Sequence, residues 1–429
     1  MKILSTSFAI MMGMFLVQGC SSSDSDGNEQ TDSTKQQQEV VMTLELTTEQ
    51  QTMVTEGNAF AFLLMQKEHD IQQGSSFVLS PLSVGFMLGM LNEGAQGQTR
   101  QEITQVLGVG NFEAANVNEY YQRMMTASPL VDPEVTLAIA NMLYANKAQN
   151  AVFADGFTAT MKKSYNAGIE SLDFTQPSAL QAINNWCSSH TNGKIEKILN
   201  PDEFDAQAVC YTLNSVYFNA PWSVRFDTNA TKQKPFRKAD GEELKVDMMN
   251  MQGKVGYYLD NDLQAIGLPY GNGSYEMMVI MPVSEGDEQL SGLIGKLTTD
   301  RWVAMTKVMK LPRTVDVSLP RFLSGTKIDL KTPLMDMGVN SAFDSEKSDF
   351  SRILATGNRM FVNKMIQKTY IEVNEAGSEA AAVTVSEHVG TAYGESPEPL
   401  IFCADCPFVY IIYETTTNAI FFMGEFTGN

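Results

Sequence analysis

Residues 375–384 read EAGSEAAAVT. Ala is the best helix former, and the run Ala380-Ala381-Ala382 would suit a helix interior. It nevertheless lies between two segments rich in aromatic and β-branched residues, which read as strands. These are Thr369-Tyr370-Ile371-Glu372-Val373 before it and Phe408-Val409-Tyr410-Ile411-Ile412-Tyr413 after it. Laid out as a strand, the segment itself sends alternate side chains to opposite faces. One face then carries Ser378, Ala380, Ala382, Thr384 and Ser386, all small and uncharged. The other carries Glu379, Ala381, Val383, Val385 and Glu387. Gly377 in front permits a hinge. The composition fits two descriptions equally: a strand held in reserve, able to slide over a packed core, or an exposed Ala-rich loop.

The whole chain has 429 residues, 43% apolar and 19% charged, enough for a sizeable core. Its net charge of −20 argues against a nucleic-acid partner, which needs clustered Lys and Arg. Neither a basic run nor a Gly-rich phosphate loop occurs. Helical periodicity dominates from Thr47 to about Gly110, with Ser80 as an N-cap before a first-turn Pro81 and a short helix at 100–107. Further helices are expected at 156–165, 178–190 and near 297–309. Strands are expected at 135–145, 209–219, 244–258, 264–269, 275–282 and 314–320, and strand and loop fill roughly the last 70 residues. Helices gathered early and strands late predict an α+β fold in one domain, residues 46–429.

The N-terminus reads differently. Lys2, the apolar run Phe8 to Val17 and the small residues at Gly19-Cys20 describe a signal segment over 1–19, too short to span a bilayer. Residues 20–45 are mostly polar and predict a flexible tether. Val17-Gln18-Gly19-Cys20 resembles the lipobox of bacterial lipoproteins, which implies a lipid on Cys20 and anchorage at a bacterial cell envelope or surface. An ordinary cleaved signal and secretion is the alternative.

Candidate chemistry is sparse. Beyond Cys20 there are Cys187, Cys210, Cys403 and Cys406, too few for a disulfide-built scaffold. Cys403-Ala404-Asp405-Cys406 has CxxC spacing, but zinc would need two more ligands and the chain has only His69, His190 and His388. A redox CxxC opens a helix, whereas Pro407-Phe408-Val409-Tyr410 reads as strand. No metal or cofactor is expected, and Cys403 and Cys406 form either a local disulfide or two thiols. No GxSxG elbow occurs and no His has an evident partner, so an enzyme is not expected. Spacing alone leaves open a triad assembled in space.

The stretch IEVNEAGSEAAAVT (371–384) resembles the hinge of the serpins, a family of suicide protease inhibitors. FVLSPLS (77–83) and NSVYFNAPW (214–222) resemble the family's second-helix entrance and the end of its central strand. VSLPRF (317–322), Met337-Gly338-Val339, Ala342-Phe343, Asp349-Phe350-Ser351, Pro407-Phe408-Val409 and Phe421-Phe422-Met423-Gly424 follow in the family's order. The likeness runs over residues 46–429. It implies a monomer of three β-sheets and about nine helices with an exposed reactive-centre loop, held in a metastable state. A serine protease, or a cysteine protease, attacks the loop and forms an acyl-enzyme. The cut loop then enters the large sheet as a new strand and distorts the trapped protease.

Position by position, the resemblance implies a hinge of Glu375, Gly377, Ser378, Ala380, Ala382 and Thr384. It implies control of sheet opening by Ser80, Ser83 and Asn214, with Gln367 where the family has His. An amide donates and accepts hydrogen bonds but does not titrate. Arg321 and Glu375 match a charge pair beside Trp222 at the top of the sheet. The family's spacing from Glu375 puts the cut at Thr391–Ala392. Counting back from Pro407 lands near Ser396, since the loop is about five residues longer than usual, and Tyr393–Gly394 is a second bait. Thr391 and Ala392 suit elastase- or subtilisin-like pockets and Tyr393 a chymotrypsin-like one. The absence of Arg and Lys from 376–407 argues against trypsin-like targets. No large inward residue or Pro precedes His388, which implies an inhibitory member. The rival readings are a family member that only binds, and a secreted hydrolase.

Overall fold

A computed structural model describes residues 43–429 apart from 192, 239, 284–286, 358, 379–397 and 429. The first helix starts on a reciprocal cap: Thr47 Oγ1 accepts from the Gln50 N–H, and Gln50 Oε1 accepts from the Thr47 N–H. Nine α-helices occur among the described residues. They are α1 (Thr48–Gln72), α2 (Pro81–Gly94), α3 (Gly97–Val106), α4 (Ala114–Ala127), α5 (Asp155–Tyr165), α6 (Pro177–His190), α7 (Asp287–Gly295), α8 (Thr299–Met309) and α9 (Lys331–Asp336). The strands of the first half are β1 (Phe77–Leu79), β2 (Thr136–Asn146), β3 (Gly168–Leu172), β4 (Cys210–Pro221), β5 (Lys232–Arg237), β6 (Glu243–Leu259), β7 (Leu263–Tyr270) and β8 (Tyr275–Pro282). Those of the second half are β9 (Arg313–Pro320), β10 (Phe322–Asp329), β11 (Lys364–Asn374), β12 (Gly377–Ser378), β13 (Leu400–Cys403), β14 (Phe408–Glu414) and β15 (Ile420–Phe426).

One sheet of six strands runs β10-β11-β12-β4-β2-β3. The other nine strands form two sheets joined through β6, which spans 17 residues. Its end, Gly256–Leu259, pairs with β7, and the residues before it pair with β5 and β9. This gives the three sheets expected. Twelve of the fourteen residues of α2 are buried, the mark of a helix enclosed on all sides. The segment Val41–Asn429 is one compact unit.

Most long elements lie within a few residues of their expected bounds. The elements not anticipated have weak local signals. β1 is three residues long and wholly buried, so it shows no alternation. The N-cap of α4, Glu113, makes no side-chain cap bond, and β3 has no buried residue and so no buried face to alternate. The helix expected near 297–309 is α8, and α7 precedes it.

One core carboxyl makes stability depend on pH. Glu276 is buried between β7 and β14, where Gly267 leaves room for it: a Cβ there would lie 2.3 Å from Oε1. Burial pushes its pKa up to about 7, against the partial opposition of a 2.5 Å hydrogen bond from Tyr413 Oη. A raised folded-state pKa gives stability that is full below the unfolded value and lost as pH rises through the folded one. The native state therefore loses about 3 kcal/mol between pH 4 and pH 8 from this group. Glu276→Gln keeps the acceptor for Tyr413 and removes the charge. Its melting temperature should exceed wild type above pH 7 and match it near pH 4.

Candidate functional site

Two neighbouring strands of the six-stranded sheet form a fork. β4 and β11 pair in parallel from Tyr211↔Lys364 to Tyr217↔Tyr370. Above that they part, and β12 fills the opening, antiparallel to both. Ser378 sits between Val373 and Ala220, and Gly377 between Asn374 and Pro221. Gly377 has φ +151°, and a Cβ would lie 2.1 Å from the Ala220 carbonyl oxygen. Only glycine fits that approach.

The side chain of Ser378 is wholly buried, and its Oγ lies 2.7 Å from Tyr270 Oη. The Tyr270 ring stacks on Trp222 with centroids 4.2 Å apart and 12° between planes. Trp222 in turn holds the chain entering β12: its indole N–H donates to the Asn374 carbonyl and its backbone N–H to that of Ala376, both at 2.9 Å. Glu375 is 5% exposed, accepts from Thr231 Oγ1 at 2.6 Å and pairs with Arg321 at 2.5 Å. Burial would raise its pKa, but the hydrogen bonds from Arg321 and Thr231 outweigh burial and hold the carboxyl below its usual range. Arg321 and Glu375 are thus paired, and Trp222 bonds to the carbonyls of the residues on either side of Glu375.

Below the fork, the seam is closed by a buried amide network. Gln367 and Asn214 face each other in register, and Gln367 Nε2 donates to Asn214 Oδ1 at 3.0 Å. Gln367 also spans the Ser80 backbone, accepting from its N–H at 2.7 Å and donating to its carbonyl at 3.0 Å. Ser80 caps α2 through the Ser83 N–H and donates from Oγ to Ser83 Oγ at 3.0 Å. Asn214 Nδ2 donates to Asn141 Oδ1 at 2.9 Å. All five side chains are at most 1% exposed. The network ties β4 and β11 to each other and to the start of α2, and it brings Ser80, Ser83, Asn214 and Gln367 together.

Tyr270, Thr231 and Asn141 belong to these contacts and were not anticipated. Asn141 carried a usable signal, a lone amide inside the apolar run Leu137–Ala145. Ala380, Ala382, Thr384, Thr391, Ala392, Tyr393 and Gly394 lie outside the described residues, as do Cys20 and His388. Cys403 and Cys406 carry thiols. Burial alternates from Phe402 to Phe408, the pattern of extended chain, which aims the two sulfurs apart.

One expectation is corrected: His190 has a local partner, its Nδ1 lying 2.8 Å from the Trp186 carbonyl oxygen, and His69 has partners from remote elements. The Nδ1 of His69 lies 2.8 Å from Glu425 Oε2 and its Nε2 lies 2.8 Å from Ser291 Oγ. This relay joins α1, β15 and α7. Ser291 is the fifth residue of α7, so its own N–H is committed to the helix ladder and is not available to an oxyanion. Among the described residues no cluster of His, Cys, Asp and Glu could hold a metal ion, and no helix is long and apolar enough to cross a membrane.

Comparison with known proteins agrees with this geometry. The family profile described as "Serpin (serine protease inhibitor)" matches residues 55–428. Serpin B6 of Pongo abelii is 30% identical over 381 residues, covering 87% of this chain and 99% of the relative. Iripin-2 of Ixodes ricinus is 32% identical over 352 residues, covering 81% and 86%. Among solved structures, the thermophilic serpin tengpin in its native state superposes with a TM-score of 0.78 at 26% identity, over 88% of this chain and 94% of its own. Native protease nexin-1 with heparin gives 0.78 at 26% identity, over 89% and 100%. A family profile matched over residues 55–428 and likeness along almost the whole chain lead to one conclusion: this protein belongs to the serpin family and is a protease inhibitor, not an enzyme.

Proposed function

We propose that this serpin is an inhibitory one, which traps serine proteases as acyl-enzymes by drawing its cut loop into the six-stranded sheet. The observation that carries this reading is β12. Gly377 and Ser378 already occupy the fork, with Ser378 on the packed side, where Val373 and Ala220 point. Continued in register, the same small face would bring Thr384 between Gln367 and Asn214, where its hydroxyl could replace their shared hydrogen bond. His388 would come opposite Asn363 and Cys210, where β11 and β4 run out. The paired stretch is then about 36 Å long at ~3.3 Å per residue. A cut at Thr391–Ala392 or Tyr393–Gly394 lies just beyond it, so an attached protease would be carried the length of the sheet. Cysteine proteases, which form analogous thioesters, are a secondary target class.

The remaining parts of the reading rest on sequence. They are a signal segment at 1–19, a tether at 20–45 lipidated on Cys20, a monomeric inhibitory domain at 46–429, and residence at a cell envelope or in the secreted fraction. Targets are elastase-, subtilisin- or chymotrypsin-like. The test is direct: each of these proteases is mixed with the protein, SDS-stable complexes are resolved on a gel, and the cut is mapped by mass. An inhibitor gives a complex cut within 389–396. Cleavage without complex for all three would favour a family member that only binds.

A further inference from the structure

The seam between β4 and β11 carries a second fastening, on the face opposite Gln367. There α6 and the connection 191–208 cover the sheet. Ile183, Cys187, Ile198 and Leu199 share an apolar cluster with Leu213 of β4 and Ile366 of β11, so the cover rests on both sides of the seam. On one side its attachment is covalent, because the connection runs on into β4 at Cys210. On the other side it is held by side chains. Lys327 of β10 pairs with Glu203 at 2.5 Å. Lys368 of β11, directly opposite Lys327 in the ladder, donates to the Lys197 carbonyl at 2.6 Å. Lys194 lies 5.8 Å from the centre of the Tyr370 ring.

Glu203 is set for an ionic role. Partial burial would raise its pKa, but bonds from Lys327 and from the Asn200 N–H outweigh that and keep it charged. Among the described residues β10 pairs within this sheet only with β11, so the two would move together when the seam opens. A new strand between β4 and β11 widens the gap by about 4.8 Å. A contact of 2.5 Å does not survive that displacement unless the connection lifts off the sheet.

We propose that the Lys327–Glu203 ion pair is a positioning contact that straps the 191–208 connection across the β4–β11 seam and slows entry of the reactive-centre loop. The pair acts through the cover it holds. This inference rests on the insertion reading, so its test avoids protease. A synthetic peptide with the sequence of residues 376–388 is incubated with the intact protein, and uptake is followed by native gel and by the rise in melting temperature. Lys327→Glu and Glu203→Lys should each speed uptake about fivefold, the upper range for a partly exposed pair. The double reversal restores the pair with its charges exchanged and should return uptake to within about twofold of wild type. Lys327→Gln, which removes the charge without adding a repulsion, should lie between. Rising salt should speed uptake by wild type and by the double reversal, but not by Glu203→Lys. Single variants equal to wild type, or a double reversal as fast as the singles, would overturn the strap. If wild type takes up no peptide, the insertion reading fails and the strap with it.

Discussion

Ser378→Arg will be cut by the target protease and will release it active, leaving no SDS-stable complex. Position 378 is wholly enclosed by β4, β11 and the Tyr270 hydroxyl. A guanidinium there would face the neutral Tyr270 hydroxyl, and burying an unpaired charge costs several kcal/mol. The substituted hinge is therefore expelled from the fork and re-enters slowly. Each 1.4 kcal/mol added to the barrier slows insertion tenfold. In the proposed mechanism insertion competes with hydrolysis of the acyl-enzyme, so a hundredfold delay would divert nearly every encounter to hydrolysis. The number of inhibitor molecules consumed per protease should rise by at least tenfold. Ser378→Ala, which loses only the bond to Tyr270, should remain an inhibitor. An arginine variant that formed complex at wild-type yield would show that the hinge does not insert where β12 now lies.

Nicking the loop within 389–396 should raise the melting temperature by on the order of 10 °C. An inserted strand pairs on both sides, and each ladder bond contributes about 0.5–1.5 kcal/mol net. Over a dozen residues this amounts to ~10 kcal/mol, and at an unfolding entropy of about 2.1 cal/mol/K per residue each kcal/mol moves the melting point of a domain of this length by about 1 °C. The measurement is calorimetry of intact and nicked protein, with infrared spectroscopy reporting any gain in sheet. Equal melting points would mean that cleavage releases no stored stability, and the inhibitory mechanism would fall.

The sequence made the fork legible to different depths. Gly377 and the alternation Ser378, Ala380, Ala382 marked a small-faced segment, and the family likeness decided between strand and loop. Ser80 before Pro81 announced a helix start by elementary capping rules, and the structure has that cap. The amide at 367 could be named as a departure from the family. Its contacts with the Ser80 backbone could not, because 287 residues separate the two positions and only the fold joins them. Tyr270 was illegible for a related reason. It ends a strand of ordinary hairpin appearance, and its use depends on Trp222 lying flat against it. The same limit hid the partners of His69, which come from α7 and β15, more than two hundred residues away. Short-range physics sets caps, periods and turns, whereas contacts between remote side chains follow from topology.

The two residues of β12 bear on how the reaction begins as well as where. Growth of ordered structure is slow to nucleate and fast to propagate, because the first contact closes a loop of chain and the later ones only extend it. Here the nucleus exists before any protease arrives, held by Gly377 and Ser378. On the proposed mechanism, severing the bait lets the strand grow like a zipper from one end, residue by residue and in a single frame, with the search for a starting alignment already over.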